Sequence, residues 1–333
     1  MGWRLVKLTT NRKESGAYME TQHLKKAVLQ TLAYFDLSTY PLTATEIKNW
    51  LYKYEVSDFT DLLMILEEMK NLNQIEEKFG YFFLSNRIET IENRRKNLVI
   101  SELKLKKARW AVKFIRCVPF LQAVFVCNTV AAGTAEINSD IDFFIIAKRG
   151  RVWLVRFFTN LILRILHLRT YGEQNRDKIC LSFFVDDNNL NLEKLKACDG
   201  DIHFAYWITQ MVPIFDPDNY WKIFLSANYW TKDYFPNLLN NFSFLNLVQR
   251  GSVAKIWQKT WETMWHGAYG NILEKQARDW QILKMKLSTK EKTQLHDNGV
   301  VLDDGVIKLH ENDTRRDCAK RWEEKTQLYE NKI

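Results

Sequence analysis

The 333-residue chain has only five cysteines, at positions 117, 127, 180, 198 and 318, and none of them forms a CxxC or other paired spacing. That pattern argues against a disulfide framework or a zinc knuckle, and it makes a reducing cytoplasm the expected compartment. A secretory apolar segment is missing too, because Met1 to Glu20 is polar. No apolar stretch runs long enough to cross a membrane. The longest, Val152 to Leu168, is interrupted by Arg156, Arg164 and His167 and is expected to form a buried helix, so no membrane partner is expected. There is no internal repeat and no low-complexity tract. With 46% hydrophobic and 26% charged residues the composition is that of a globular protein, which excludes the disordered and fibrous classes.

Charge is present but unevenly spread. Residues 87–116 hold ten basic side chains against three acidic ones, which accounts for seven of the chain's net +8. Such a stripe is either a solvated helix face or an attractor of a polyanion or of nucleotide phosphates.

Toward the N-terminus, Leu24, Val28, Leu32 and Phe35 recur at helical spacing. Thr43 and Glu46 make a capping-box signature ahead of Ile47, Trp50, Leu51 and Tyr54. Phe59, Leu62, Leu63, Leu66 and Met69 mark a third helix, and "QIEEKFGYFFL" reads as a hairpin turning near Gly80. Three helices and a hairpin make a winged-helix pattern. Asp58, Asp61, Glu67 and Glu68 on the third helix, against Lys70 alone, argue against DNA reading by that helix.

After Pro119 the rhythm changes to α/β. Strands are expected at 121–127, 140–147 and 178–185, with a helix over 151–168 between the last two. Beyond residue 200 the pattern is helical and aromatic, ending in a hairpin expected around Asp303-Asp304-Gly305. Trp257, Trp261 and Trp265 recur every four residues and line one helix face.

Asp140 and Asp142 open the apolar strand "DIDFFIIA". Alternation along a strand puts both carboxylates on one face, roughly 6–7 Å apart along the chain. Shielded like charges that close repel one another, and a hard divalent cation removes the conflict. The bland reading is a solvated strand end. A glycosyltransferase D-x-D normally follows its apolar strand, whereas here the strand follows the pair.

"VFVCNTVAAGTAEINSDIDFFII" resembles, in order, spacing and apolar framing, the phosphate turn and D-h-D strand of the DNA polymerase β-type nucleotidyltransferase superfamily. Together with "LAYFDLSTYPLTATEI", "GRVWLVRF" and "DKICLSFFVDDNNLNL", it is similar to a bacterial group that joins a winged-helix-like N-terminus to such a domain, over most of residues 22–230. The resemblance implies that Asp140 and Asp142 hold Mg²⁺ (or Mn²⁺) and that Asn128 and Thr129 cradle the phosphates of a nucleoside triphosphate. It implies transfer of an NMP to an acceptor hydroxyl, with pyrophosphate leaving; the acceptor is not readable. Ser139 and Lys148, flanking the pair, are further phosphate-contact candidates, with Arg149 and Arg151 beside Lys148.

Two positions depart from the superfamily. Asn128-Thr129 stands where Gly-Ser is usual, and Ser182 takes the inward position expected of a third carboxylate, with Asp177, Asp186 and Asp187 beyond the strand's ends. A nucleotide-sensing or interaction module of the same fold is therefore the alternative. The expected layout is a flexible tail at 1–20, a winged-helix-like domain at 21–86, a basic connecting helix at 87–118, an α/β (α+β) nucleotidyltransferase core with a mixed sheet at 119–198, and a helical region at 199–333.

Overall fold

The structure is a computed structural model that describes residues 2–170, 175–239, 247–288, 300–309 and 314–331, with the backbone alone for 2–18 and 286–288. The chain divides into two compact units. One comprises Met1–Arg95, Trp230–Asn241 and Asp317–Ile333; the other comprises Lys96–Tyr229 and Phe242–Arg316.

The first unit contains α1 (Gly2–Asp36), α2 (Ala44–Trp50), α3 (Phe59–Asn71) and the hairpin β1 (Ile75–Lys78) and β2 (Tyr81–Leu84). Where the sequence predicts a flexible tail over 1–20, the backbone is helical from Gly2 onward. The first proline is Pro41, so nothing in that stretch forbids the helix. The capping box forms as expected: Glu46 N–H donates to Thr43 Oγ1 at 3.3 Å and Thr43 N–H donates to Glu46 Oε2 at 2.8 Å. On α3 the buried face is Leu62, Ile65, Leu66 and Met69. Leu63, expected in the core, is exposed because it lies about 100° around the helix from Leu62. Phe79 and Gly80 carry φ of +57° and +79°, the left-handed pair that a two-residue hairpin turn requires.

Glu46 does a second job in this unit. It receives both Nη atoms of Arg94, at 2.8 and 2.7 Å, while the guanidinium lies 4.3 Å from the Tyr40 ring centroid and 4.6 Å from that of Tyr81. The C-terminal helix (Arg315–Glu330) returns to this unit through Trp322 Nε1, which donates to Gln30 O at 2.9 Å, and through the Lys325–Asp36 ion pair.

The basic helix is α4 (Glu89–Ile115), and the boundary between the units falls inside it. Much of its charge is engaged locally: Arg94 with Glu46, Lys104 with Asp177, Arg109 with Glu102. Lys96, Lys106 and Lys113 are exposed.

The second unit is built on a six-stranded sheet of β3 (Leu121–Cys127), β4 (Ile141–Ala147), β5 (Ile179–Asp186), β6 (Val212–Phe215), β7 (Val300–Leu302) and β8 (Val306–Leu309), in the order β6-β3-β4-β5-β8-β7. Only β4 and β5 are parallel, joined by the crossover helix α6 (Val152–Ile165); the other pairs are antiparallel. The region 199–333 is thus not a separate helical part. Its strands β6 and β8 extend the sheet on both sides, and its last helix belongs largely to the first unit.

Alternation along β4 sorts its side chains between two layers. Ile141, Phe143, Ile145 and Ala147 pack into one core with Ala108, Val112 and Ile115 of α4 and with Val152, Trp153 and Val155 of α6. Phe144 points the other way and meets Phe125, Phe183 and Phe224 at centroid distances of 6.0, 5.2 and 5.2 Å. Phe224 lies on α8 (Tyr220–Ala227), and Trp207, which also contacts Phe144, lies on α7 (Ile202–Gln210). Burying each such ring stabilises by about 1.5–3 kcal/mol, so β4 is clamped from both faces.

The helices α9 (Ser252–Met264) and α10 (Gly267–Ser288) follow, and α10 runs along α6. The expected tryptophan ladder is there: Trp257–Trp261 and Trp261–Trp265 have centroids 5.6 and 4.8 Å apart, and Trp265 stacks on Phe158 of α6. Gly305 turns the β7–β8 hairpin where an added Cβ would lie 2.1 Å from Asn189 Nδ2, so a larger residue there would have to displace the Asn189 side chain.

Candidate functional site

Three adjacent strands bring one row of side chains together. In the sheet register Cys127 of β3 pairs with Asp142 of β4, and Asp142 pairs with Cys180 of β5. The ligand atoms of Asp140, Asp142 and Cys180 all lie within 4.8 Å of one another. Every residue of β4 is buried, and Asp142 is only 7% exposed. A buried carboxylate costs several kcal/mol unless it is compensated, so its presence in this strand needs a reason.

Part of the compensation comes from Asn128. The chain leaves β3 straight into the single turn α5 (Asn128–Ala131), and Asn128 sits at φ +58°. Asparagine tolerates this left-handed conformation better than most residues. Its side-chain oxygen accepts a hydrogen bond from Trp207 Nε1 at 2.6 Å, which leaves its amide N–H to donate to Asp142. Ser182 Oγ donates to Asp142 Oδ1 at 3.4 Å.

Burial first, and then the charge on Asp140, push Asp142 up to about 6 against these hydrogen bonds. Burial also raises Asp140. The Cys180 thiol is pushed up to about 12 by burial and by the two carboxylates. The cluster therefore holds protons more tightly than isolated groups would.

The loops that lead into the site are tied to one ammonium. Lys104 of α4, 2% exposed at its side chain, donates to Ser139 O at 2.7 Å, to Ile137 O at 3.2 Å and to Asp177 Oδ1 at 2.6 Å. Ile137 and Ser139 precede β4, and Asp177 precedes β5.

The expected site residues divide accordingly. Asp140, Asp142, Asn128 and Ser182 come together. Thr129 is exposed on the adjoining turn, where its carbonyl accepts from Thr134 N–H at 2.9 Å. Ser139 lies just before the pair, but its hydroxyl is used within its own turn, accepting from Glu136 N–H at 3.0 Å. Lys148 is not brought in. Strand β4 runs straight from Asp142 to Ala147, which puts Lys148 about 20 Å away at the opposite end, exposed, with its N–H bonded to Phe120 O. Arg149 and Arg151 share that far end.

Among the described residues, no substitute third carboxylate reaches the cluster. Asp177 is paired with Lys104, whose ammonium outweighs burial and keeps it below the usual carboxylate range. Asp186 accepts from Asn188 N–H, Asn189 Nδ2 and Gly150 N–H at the far end of β5, and Asp187 accepts from Arg149 N–H. Ser182, expected as the inward residue, shares that role with Cys180. Two residues apart on β5, both share the face toward Asp142.

Sequence reasoning passes over Cys180, Trp207 and Arg169. Cys180 has no partner spacing to mark it. Trp207 looks like any core aromatic. Arg169 lies between elements, where it forms a parallel bridge to Ile179.

The two carboxylates suit a hard divalent cation, which takes one or two carboxylates and completes its shell with water and phosphate oxygens. The thiol of Cys180 is a soft donor and does not suit Mg²⁺. The donor set therefore fits one magnesium-type ion at Asp140 and Asp142. In comparisons with family models, curated proteins and solved structures, nothing matches the chain.

Proposed function

We propose that the chain binds a nucleoside triphosphate through a divalent cation at Asp140 and Asp142, and that it transfers an NMP to an acceptor hydroxyl with release of pyrophosphate. The observation that carries this reading is Asp142 on a clamped, fully buried strand with half-buried Asp140 just before it, beside the left-handed Asn128 turn. A carboxylate pair kept there at an energetic cost is supported best by a bound cation. The resemblance to polymerase β-type nucleotidyltransferases, together with a winged-helix-like arrangement of α1–α3 and the β1–β2 hairpin, supports the same reading.

The cation would neutralise phosphate charge and polarise the α-phosphorus. The chain's own groups hold and orient. Asp140 and Asp142 supply the ligand oxygens, Asn128 fixes the orientation of Asp142, and the Asn128-Thr129 turn lies where the triphosphate would rest. In the transfer, the acceptor oxygen bonds to the α-phosphorus, the bond to the β-phosphate's bridging oxygen breaks, and the acceptor proton passes to solvent.

A second reading is favoured by one observation. Cys180 and Ser182 face Asp142 where a third carboxylate would act on the attacking hydroxyl. Losing a general base lowers a rate by about 10²–10⁴-fold, which turns a transferase into a nucleotide sensor. Calorimetry with ATP, GTP, CTP and UTP, with Mg²⁺ or Mn²⁺, tests the shared step. Metal-dependent binding of one nucleotide, lost in an Asp140→Asn/Asp142→Asn variant, is expected. If no nucleotide binds, both readings fail. A labelled-NMP transfer screen then separates enzyme from sensor.

A further inference from the structure

We propose that the cluster takes a single divalent cation, and that Arg169 supplies as a fixed guanidinium the positive charge that a second cation would bring. This rests on the metal and nucleotide reading above. Arg169 is anchored beside Cys180. Its backbone bridges to Ile179, its Nη1 donates to Ile179 O at 3.0 Å and to Thr170 Oγ1, and its guanidinium reaches the Cys180 thiol and acts on Asp140.

No carboxylate among the described residues lies within ion-pair distance of Arg169. Its charged neighbours make that more costly. Arg156 of α6, 7% exposed, and Arg164 both add repulsion; Arg156 is answered by the neutral Gln281 Oε1 at 2.6 Å, and its Nε has no acceptor. A half-buried guanidinium set beside a metal-type cluster, acting on Asp140 but with no carboxylate in ion-pair distance among the described residues, fits an anionic group arriving with the ligand.

The donor set limits the number of cations. Two ions in one site need carboxylates to bridge and flank them, and here the third ligand-facing atom is a thiol. The formal charges agree. Two carboxylates, one divalent cation and one guanidinium leave one positive charge. Three carboxylates with two divalent cations leave the same. The lack of a third carboxylate among the described residues and the presence of Arg169 therefore compensate one another, and the site offers a triphosphate the same net field with one ion fewer.

The test counts ions. Mn²⁺ bound to the full chain is measured by electron paramagnetic resonance, alone and with the α,β-methylene analogues of ATP, GTP, CTP and UTP. One Mn²⁺ per chain is expected with the analogue that binds. Two per chain overturns the proposal. Cys180→Asp is expected to admit a second Mn²⁺, and a count that stays at one in that variant also counts against it.

Arg169→Met is expected to weaken analogue binding at least about thirtyfold while leaving the affinity for Mn²⁺ alone unreduced. Arg169→Lys, which keeps the charge, is expected to recover part of the loss and serves if the methionine variant does not fold. Analogue affinity unchanged in both variants overturns the role given to Arg169. If the wild-type chain binds no Mn²⁺ under any condition, the underlying site reading fails, and the proposal fails with it.

Discussion

Trp207 Nε1 donates to Asn128 Oδ1 at 2.6 Å, and this bond determines which end of the Asn128 amide faces Asp142. With the oxygen occupied by the indole, the amide N–H is presented to the carboxylate. We predict that Trp207→Phe keeps the packing against Phe144 and Phe183 but frees the amide to rotate. Metal-dependent nucleotide binding should weaken by about 10–150-fold, the worth of one hydrogen bond to a charged group being about 1.5–3 kcal/mol. Calorimetry measures it. An unchanged affinity in a folded variant would show that Asn128 needs no such support.

Asp142, pushed up to about 6, ties cation binding to pH. In the metal-free fold a raised carboxyl holds its proton. Its stabilising contribution is complete below about pH 4 and is lost as pH rises through about 6. A cation must displace that proton, so Mn²⁺ affinity is predicted to fall by up to about tenfold per pH unit below 6 and to level off above it. Titrations between pH 5 and 8 check this; a flat profile contradicts it.

Glu274 of α10 gives a second pH window, away from the cluster. Its carboxyl accepts the N–H groups of Trp153 at 2.8 Å and Leu154 at 3.0 Å, and so caps α6, whose own Arg151 provides no side-chain cap. Burial outweighs those bonds and pushes it up to about 7. The sign is that of Asp142: stability is present in full below about pH 4.5 and lost as pH rises through 7. The loss is on the order of 3 kcal/mol. Glu274→Gln, which keeps an acceptor but cannot ionise, should flatten the unfolding profile between pH 5 and 8. Denaturant melts compare the two, and parallel profiles would count against the assignment.

In the first unit, Arg94 is held by a bidentate carboxylate and two aromatic faces. Lysine cannot reproduce the planar fork or the stacking. Arg94→Lys is predicted to lower stability by about 2–4 kcal/mol, and Arg94→Met by about 3–5 kcal/mol because Glu46 is left half-buried without its partner. Chemical denaturation measures both; a loss under about 1 kcal/mol in either would show the pair to be a surface contact in effect.

Much of this molecule is legible in its sequence where a local rule suffices. The strands at 121–127, 140–147 and 178–185, the Thr43–Glu46 box and the Gly80 turn each follow from a pattern a few residues long. What stays hidden depends on register and on distant neighbours. Cys180 faces Asp142 through the pairing of β4 with β5, which no single strand's alternation reveals. "VPIF" is too short, and contains a proline, so β6 does not announce itself as an edge strand beside β3. Lys148 looks adjacent to the aspartates in sequence, yet the strand between them separates them along its whole length.

Lys104 joins positions 35 and 73 residues further along the chain, at Ser139 and Asp177. In terms of chain topology, the cluster is a high-contact-order feature: a growing chain that has not yet reached β5 has only half of its lead-in held, and the row of Asp142 and Cys180 does not exist. The geometry that would receive a cation is therefore completed only once the crossover through α6 has closed. A truncated or slowly folding chain would carry both aspartates and still lack the site.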